Sequence, residues 1–142
     1  MHIIKSFWKP IAWSLVVLIL SGMTGETVSK IEIIYFPQID KVVHFTMYFV
    51  FTFLMMYDFT RYKDKIFSRT QIILFSLISA ILYGGGMELL QRISALHRSS
   101  DIMDFLANST GAIVAVLLYK QLAFIFDTVI KLFTVPKKSR SL

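Results

Sequence analysis

The sequence predicts an all-α integral membrane protein: a four-helix bundle with a short interfacial helix at its C-terminal end. Three observations carry that expectation. Of 142 residues, 56% are apolar and only 17% charged, against roughly 45–50% and about 25% in soluble domains. The mean hydropathy is +0.65. The apolar residues also form four continuous runs rather than alternating, which favours helices over the strands of a membrane barrel. The same composition excludes a disordered chain.

The first run covers about 7–23, with Lys5 and Lys9 at its head and Pro10 near its start. A signal peptide has a similar outline. However, Ser21-Gly22-Met23 is a poor small-x-small cleavage site and no lipobox cysteine follows, so an anchoring helix is the better reading. The second, third and fourth runs cover about 42–57, 70–91 and 102–119. A span needs roughly 20 residues, and shorter ones are accommodated when flanking side chains snorkel. Beyond residue 119 the chain stays mostly apolar to about 135, with Lys120, Asp127, Lys131 and Thr134 on one side of a helix. A straight helix over both segments would measure about 50 Å, too long for a hydrocarbon core of about 30 Å. The segment 120–135 is therefore expected to bend into the inner interface as an amphipathic helix, or to project inward. No repeat or second domain is visible, so residues 1–142 read as one membrane domain.

Charge sets the orientation. The net charge is +6, from 15 Lys and Arg against 9 Asp and Glu. In a membrane chain such an excess marks cytoplasmic loops rather than a nucleic-acid surface. Eleven of the basic residues fall on one side of the predicted spans, and Lys30, Lys41, Arg92 and Arg98 on the other. Both termini are therefore expected in the cytoplasm of a bacterial inner-membrane protein. The absence of cysteine excludes a disulfide framework and a thiolate zinc site.

Polar side chains inside apolar helices are costly, and they mark functional candidates. Counted from the basic or acidic residue at the inner end of each run, His44 lies about 21 Å up, Glu88 about 28 Å, Asp104 about 24 Å and Asn108 about 18 Å. Three helices thus bring polar groups to one depth. Asp40, His44 and Tyr48 share a stripe at i, i+4, i+8. Glu88 and Gln91 are one turn apart, as are Asp101 and Asp104, with Asn108 a further turn on. Each has a simpler alternative. Asp101 and Asp104 suit a helix cap, Glu88 an i, i+4 pair with Arg92, Asn108 an interhelical hydrogen bond, and His44 a satisfied interior site. Gly84-Gly85-Gly86 and Gly111 with Ala115 read as close helix packing, and the Phe45, Phe49, Phe51 and Phe53 stripe as core or lipid contact. The glycines are not a phosphate loop, because no Walker lysine or strand accompanies them. No His-x-x-x-His or equivalent ligand spacing is present, so neither metal nor other cofactor is expected.

These residues carry a resemblance to the VanZ-like family of bacterial membrane proteins. Pro37-Gln38-Ile39-Asp40-Lys41-Val42-Val43-His44-Phe45 is similar to the family's Asp-Lys-x-x-His helix opening. Tyr83-Gly84 with Glu88-Leu89-Leu90-Gln91 is similar to its Glu-x-x-Gln helix end. Arg98-Ser99-Ser100-Asp101 through Asp104, Asn108 and Gly111 resembles its Arg-Ser…Asp-x-x-x-Asn-x-x-Gly segment. The chain departs from the pattern at Leu96-His97, where the family often has Pro-Gly, and at Met87, where many members carry Asp. The resemblance implies a four-helix inner-membrane protein, linked through the founding member to resistance to the lipoglycopeptide teicoplanin.

The residues support a binding site in an outward-facing polar pocket formed by Asp40, Lys41, His44, Glu88, Gln91, Arg98, Asp101, Asp104 and Asn108. Its expected occupant is an anionic envelope-lipid headgroup, an envelope precursor or a glycopeptide-related ligand, because guanidinium and ammonium groups hold phosphate or carboxylate. An enzyme acting on a headgroup, with His44 and Glu88 as base and acid, is one alternative. A partner subunit or homo-oligomer whose polar cluster only fixes helix packing is another.

Overall fold

The computed structural model describes residues 7–22, 38–62, 67–93 and 102–134. They form four helices: α1 (Trp8–Ser21), α2 (Ile39–Arg61), α3 (Arg69–Ile93) and α4 (Ile102–Phe133), with no strand among the described residues. The all-α bundle expected from the apolar runs is the fold observed.

Local chemistry explains where several helices begin. Pro10 sits in the first turn of α1, where its missing N–H removes no intrahelical bond. Asp40 lies in the first turn of α2, placing a negative charge at the positive end of the helix dipole. Ahead of α3, the Ser68 amide donates to Gln71 Oε1 at 2.8 Å and the Gln71 amide to Ser68 Oγ at 3.3 Å. That reciprocal pair is a capping box, and it starts the helix at Arg69.

Cross-helix bonds fix the directions. Lys9 pairs with Asp58, joining the start of α1 to the end of α2. Gln91 Nε2 donates to the Ser21 carbonyl at 2.9 Å, joining the ends of α3 and α1. His44 meets Asn108 near the starts of α2 and α4. The bundle therefore runs up-down-up-down, with α1 parallel to α3 and α2 parallel to α4. The α2–α4 interface is the most extensive. Half of the apolar window of α2 is buried, against 11% for α4, so α2 is the central helix and the others wrap it.

The remaining apolar surface faces outward on every helix, from Leu15 and Ile19 through Leu82, Leu117 and Phe124. In water such a surface would be unstable; against lipid tails it costs nothing. Helices α2, α3 and α4 are long and apolar enough to cross a membrane. Helix α1, with 14 residues, is about 21 Å long and falls short of a full core thickness.

Of the two courses expected for 120–135, the structure has the one without a break: α4 is a single helix of 32 residues, about 48 Å long. No glycine or proline lies between Ala112 and Val135 to break it. The extension is also held in place. Tyr57 donates to Asp127 Oδ1 at 2.7 Å, and Arg61 pairs with the other oxygen of that carboxylate. Ala123, Leu122 and Phe126 pack with Phe53 and Tyr57. Asp127 thus turns toward α2, rather than onto a polar outer face with Lys120 and Lys131.

Candidate functional site

At the end of the bundle where α2 and α4 begin and α3 finishes, the polar side chains converge. Asp40 and His44 come from α2, Glu88 from α3, and Asp104 and Asn108 from α4. The His44 imidazole is 5% exposed and lies at the centre. Its Nδ1 is 3.1 Å from Asn108 Oδ1 and 3.9 Å from Glu88 Oε1. Its Nε2 is 3.8 Å from Asp40 Oδ1 and 3.9 Å from Asp104 Oδ2. Lys41 Nζ donates to Asp104 Oδ1 at 3.1 Å, tying α2 to α4 through a largely buried carboxylate. Glu88, Asp104 and Asn108 are all buried, while Asp40 lies nearer the rim.

This geometry follows from helix spacing and close packing. The i, i+4 interval sets Asp40 and His44 one above the other on α2. Gly84 lets α3 approach, because a Cβ there would meet Asn108 Nδ2 and a Tyr48 ring carbon, both at 3.3 Å. Gly111 does the same for α4 against the backbone of Phe45. Phe51 and Phe53 fill the core, and Phe45 and Phe49 stack at 6.0 Å.

The Asn108 carbonyl oxygen can only accept, so His44 carries its proton on Nδ1 and directs Nε2 between two carboxylates. Such an imidazole can move a proton, become a cation beside its carboxylates, or offer Nε2 as a ligand. Asp40, His44 and Asp104 each bring one ligand atom within 4.8 Å of the others.

Gln91 is buried and its amide is bonded to the end of α1. The Arg92 side chain is exposed while Glu88 is buried. Arg98 and Asp101 lie outside the described residues. A cavity of about 770 Å³ occupies the opposite end, between the first half of α1, the last half of α2 and the first half of α3. It is lined by Phe7, Phe51, Phe59, Phe75 and other apolar groups, so its chemistry differs from the polar cluster.

Two sets of contacts escape the sequence. The Lys9–Asp58 and Tyr57–Asp127–Arg61 contacts join residues far apart in the chain. Their only sequence signal is an acidic residue within an apolar helix. The Asp40/His44 ligand pair, by contrast, was visible as an i, i+4 interval, and Asp104 joins it only through the packing of α4.

Four polar side chains from three helices thus meet around one buried histidine. The family model described as VanZ/LLP1 matches residues 1–126. The chain belongs to the VanZ/LLP1 family. Comparison with curated proteins and with solved structures returned no match. The VanZ/LLP1 match takes in the whole His44 cluster and stops one residue before Asp127, so the last turns of α4 lie beyond it.

Proposed function

We propose that this VanZ/LLP1 protein is a multi-pass protein of the bacterial inner membrane, with both termini cytoplasmic, that binds the anionic headgroup of an envelope lipid at the His44 cluster. The observation that carries the reading is the burial of His44, Glu88, Asp104 and Asn108 together at one end of three apolar helices. Polar groups placed at such cost within a membrane bundle mark a ligand site. Lys41 and Arg98 supply positive charge for a phosphate or carboxylate. Asp40, Glu88, Asp101 and Asp104 accept hydrogen bonds from headgroup hydroxyls. Asn108 holds His44 in place, and Gln91 fixes the end of α3. In the orientation set by the basic residues, the cluster faces the outer leaflet. Occupying an envelope lipid or precursor there would alter access of lipoglycopeptides such as teicoplanin to the surface.

The test uses full-length protein in nanodiscs, titrated with phosphatidylglycerol vesicles and with neutral phosphatidylcholine vesicles as reference. Preferential binding of the anionic lipid, reduced by Arg98→Lys and by Glu88→Gln at unchanged thermal stability, is expected. Equal binding of both lipids overturns the reading. Loss of stability in step with loss of binding favours the alternative, a polar cluster that serves only helix packing. The second alternative, headgroup catalysis, rests on His44 standing beside three carboxylates, an arrangement suited to general acid–base work. Release of a headgroup by the purified protein would establish it.

A further inference from the structure

The His44 cluster contains an arrangement more specific than a polar pocket. With Nδ1 bonded to Asn108, Nε2 is left facing two carboxylates, 3.8 Å from Asp40 Oδ1 and 3.9 Å from Asp104 Oδ2. A neutral imidazole nitrogen gains nothing from facing two carboxylate oxygens, since all three are acceptors. A metal cation in the gap between them would serve all three acceptors at once. Fixing one imidazole nitrogen with an acceptor, leaving the other to bind, is how proteins orient histidine toward a metal. Asp104 is prepared in the same way. Lys41 takes its Oδ1 at 3.1 Å, which sets the carboxylate plane and leaves Oδ2 facing His44.

From this juxtaposition we infer that Asp40 Oδ1, His44 Nε2 and Asp104 Oδ2 form a binding site for a divalent transition-metal ion of the zinc class. One nitrogen and two oxygens suit that class better than magnesium or calcium, which take oxygen ligands alone. Metal bonds of about 2.0–2.1 Å place tetrahedral ligands roughly 3.3 Å apart. The two separations from Nε2, 3.8 and 3.9 Å, are about half an ångström wider than that, and all three ligand atoms lie within 4.8 Å of one another, so rotation of the two carboxylates closes the set. Three protein ligands leave a fourth position open, as in sites where zinc binds water or substrate. There the ion would meet a phosphate oxygen of the headgroup. This last role rests on the proposed headgroup function; the metal site itself does not.

Full-length protein, stripped with a chelator and titrated with Zn²⁺ alone, is expected to bind one ion per chain. Co²⁺ in its place should give visible d–d bands of an oxygen- and nitrogen-ligated site. His44→Gln and Asp104→Asn should each weaken Zn²⁺ binding by roughly 10–100-fold, and Asp127→Asn at the far end should leave it unchanged. Asp40→Asn alters the least buried ligand, so it reports on binding even if the buried variants fail to fold. Absence of stoichiometric Zn²⁺ uptake overturns the site, and so does uptake that Asp40→Asn and Asp104→Asn both retain. Phosphatidylglycerol vesicle binding by the stripped protein separates the two proposals. Vesicle binding without Zn²⁺ uptake removes the metal and keeps the headgroup reading, and Zn²⁺ uptake without vesicle binding does the opposite.

Discussion

Gly111 on α4 packs directly against the carbonyl oxygen of Phe45 on α2, so closely that a Cβ at residue 111 would stand 2.2 Å from it. The neighbour is backbone, which cannot swing away as a side-chain end would. This contact lies beside His44 in sequence and one turn from Asn108, so it fixes the register that brings those two side chains to 3.1 Å.

A graded glycine series follows. Gly111→Ala forces α2 and α4 apart and is expected to cost about 1–3 kcal/mol. At Gly84 a Cβ meets Asn108 Nδ2 and a Tyr48 ring carbon at 3.3 Å, groups that can shift by a few tenths of an ångström, so Gly84→Ala should cost less. Nothing lies within 4 Å of a Cβ at Gly86. Gly86→Ala should be neutral or stabilising by up to about 1 kcal/mol through helix propensity. Thermal unfolding in detergent checks the order, and equal effects at all three positions would show that the α2–α4 contact is not close.

The long α4 helix is held at its far part by Tyr57 and Arg61 acting on Asp127. Arg61 and Asp127 are 38% and 34% exposed, so the ion pair contributes at most about 1 kcal/mol. Asp127→Ala should therefore leave global stability nearly unchanged while loosening the helix locally. Hydrogen exchange over 120–133 is expected to rise several-fold, with the exchange of α2 unaffected. Unchanged exchange would mean that the apolar packing of Ala123 and Phe126 alone holds the extension.

An up-down-up-down bundle puts the start of α1 and the end of α4 on one side. With the basic residues gathered there, a cysteine introduced at Lys63 should be shielded from membrane-impermeant reagents in intact cells, and a C-terminal reporter should be active only in the cytoplasm. The chain has no native cysteine to confuse the labelling. Labelling of residue 63 from outside would reverse the orientation and turn the His44 cluster inward.

Much of this architecture is legible in the residues alone, for a physical reason. A membrane helix must bond its own backbone and present apolar side chains to lipid, so its length and position appear directly as an apolar run. Asp40, His44, Glu88, Asp104 and Asn108 stand out because lipid tolerates so few polar groups, and helix rise places them at one depth. The course of α4 beyond residue 120 is open in the sequence. Lys120 and Asp127 look like the boundary of a span, and only the fold shows that Asp127 is satisfied by Tyr57 and Arg61, 70 and 66 residues away. The Gln91 contact is hidden for a related reason: its amide donates to a backbone carbonyl at Ser21, which no side-chain pattern announces. The full Asp40–His44–Asp104 grouping is not visible in the sequence, because only the Asp40/His44 half lies in one segment and Asp104 comes from a second helix.

The Lys41–Asp104 pair separates structural from functional roles at the site. Asp104 is buried and Lys41 is 32% exposed, so Lys41→Met leaves a buried carboxylate without its ammonium. The expected cost is up to about 3 kcal/mol, the low end for broken buried pairs because the lysine reaches solvent. Asp104→Asn removes the charge but keeps the shape, and should cost less. In the double variant the remaining groups are neutral, and stability should return toward that of the wild type, since replacing a whole buried pair is often neutral. Ligand binding should not return, because both the cation for a phosphate and the Oδ2 for a metal are gone. Thermal unfolding measured beside Zn²⁺ and phosphatidylglycerol binding on all four proteins gives the full cycle. If binding recovered together with stability in the double variant, these two residues would be acting on helix packing alone.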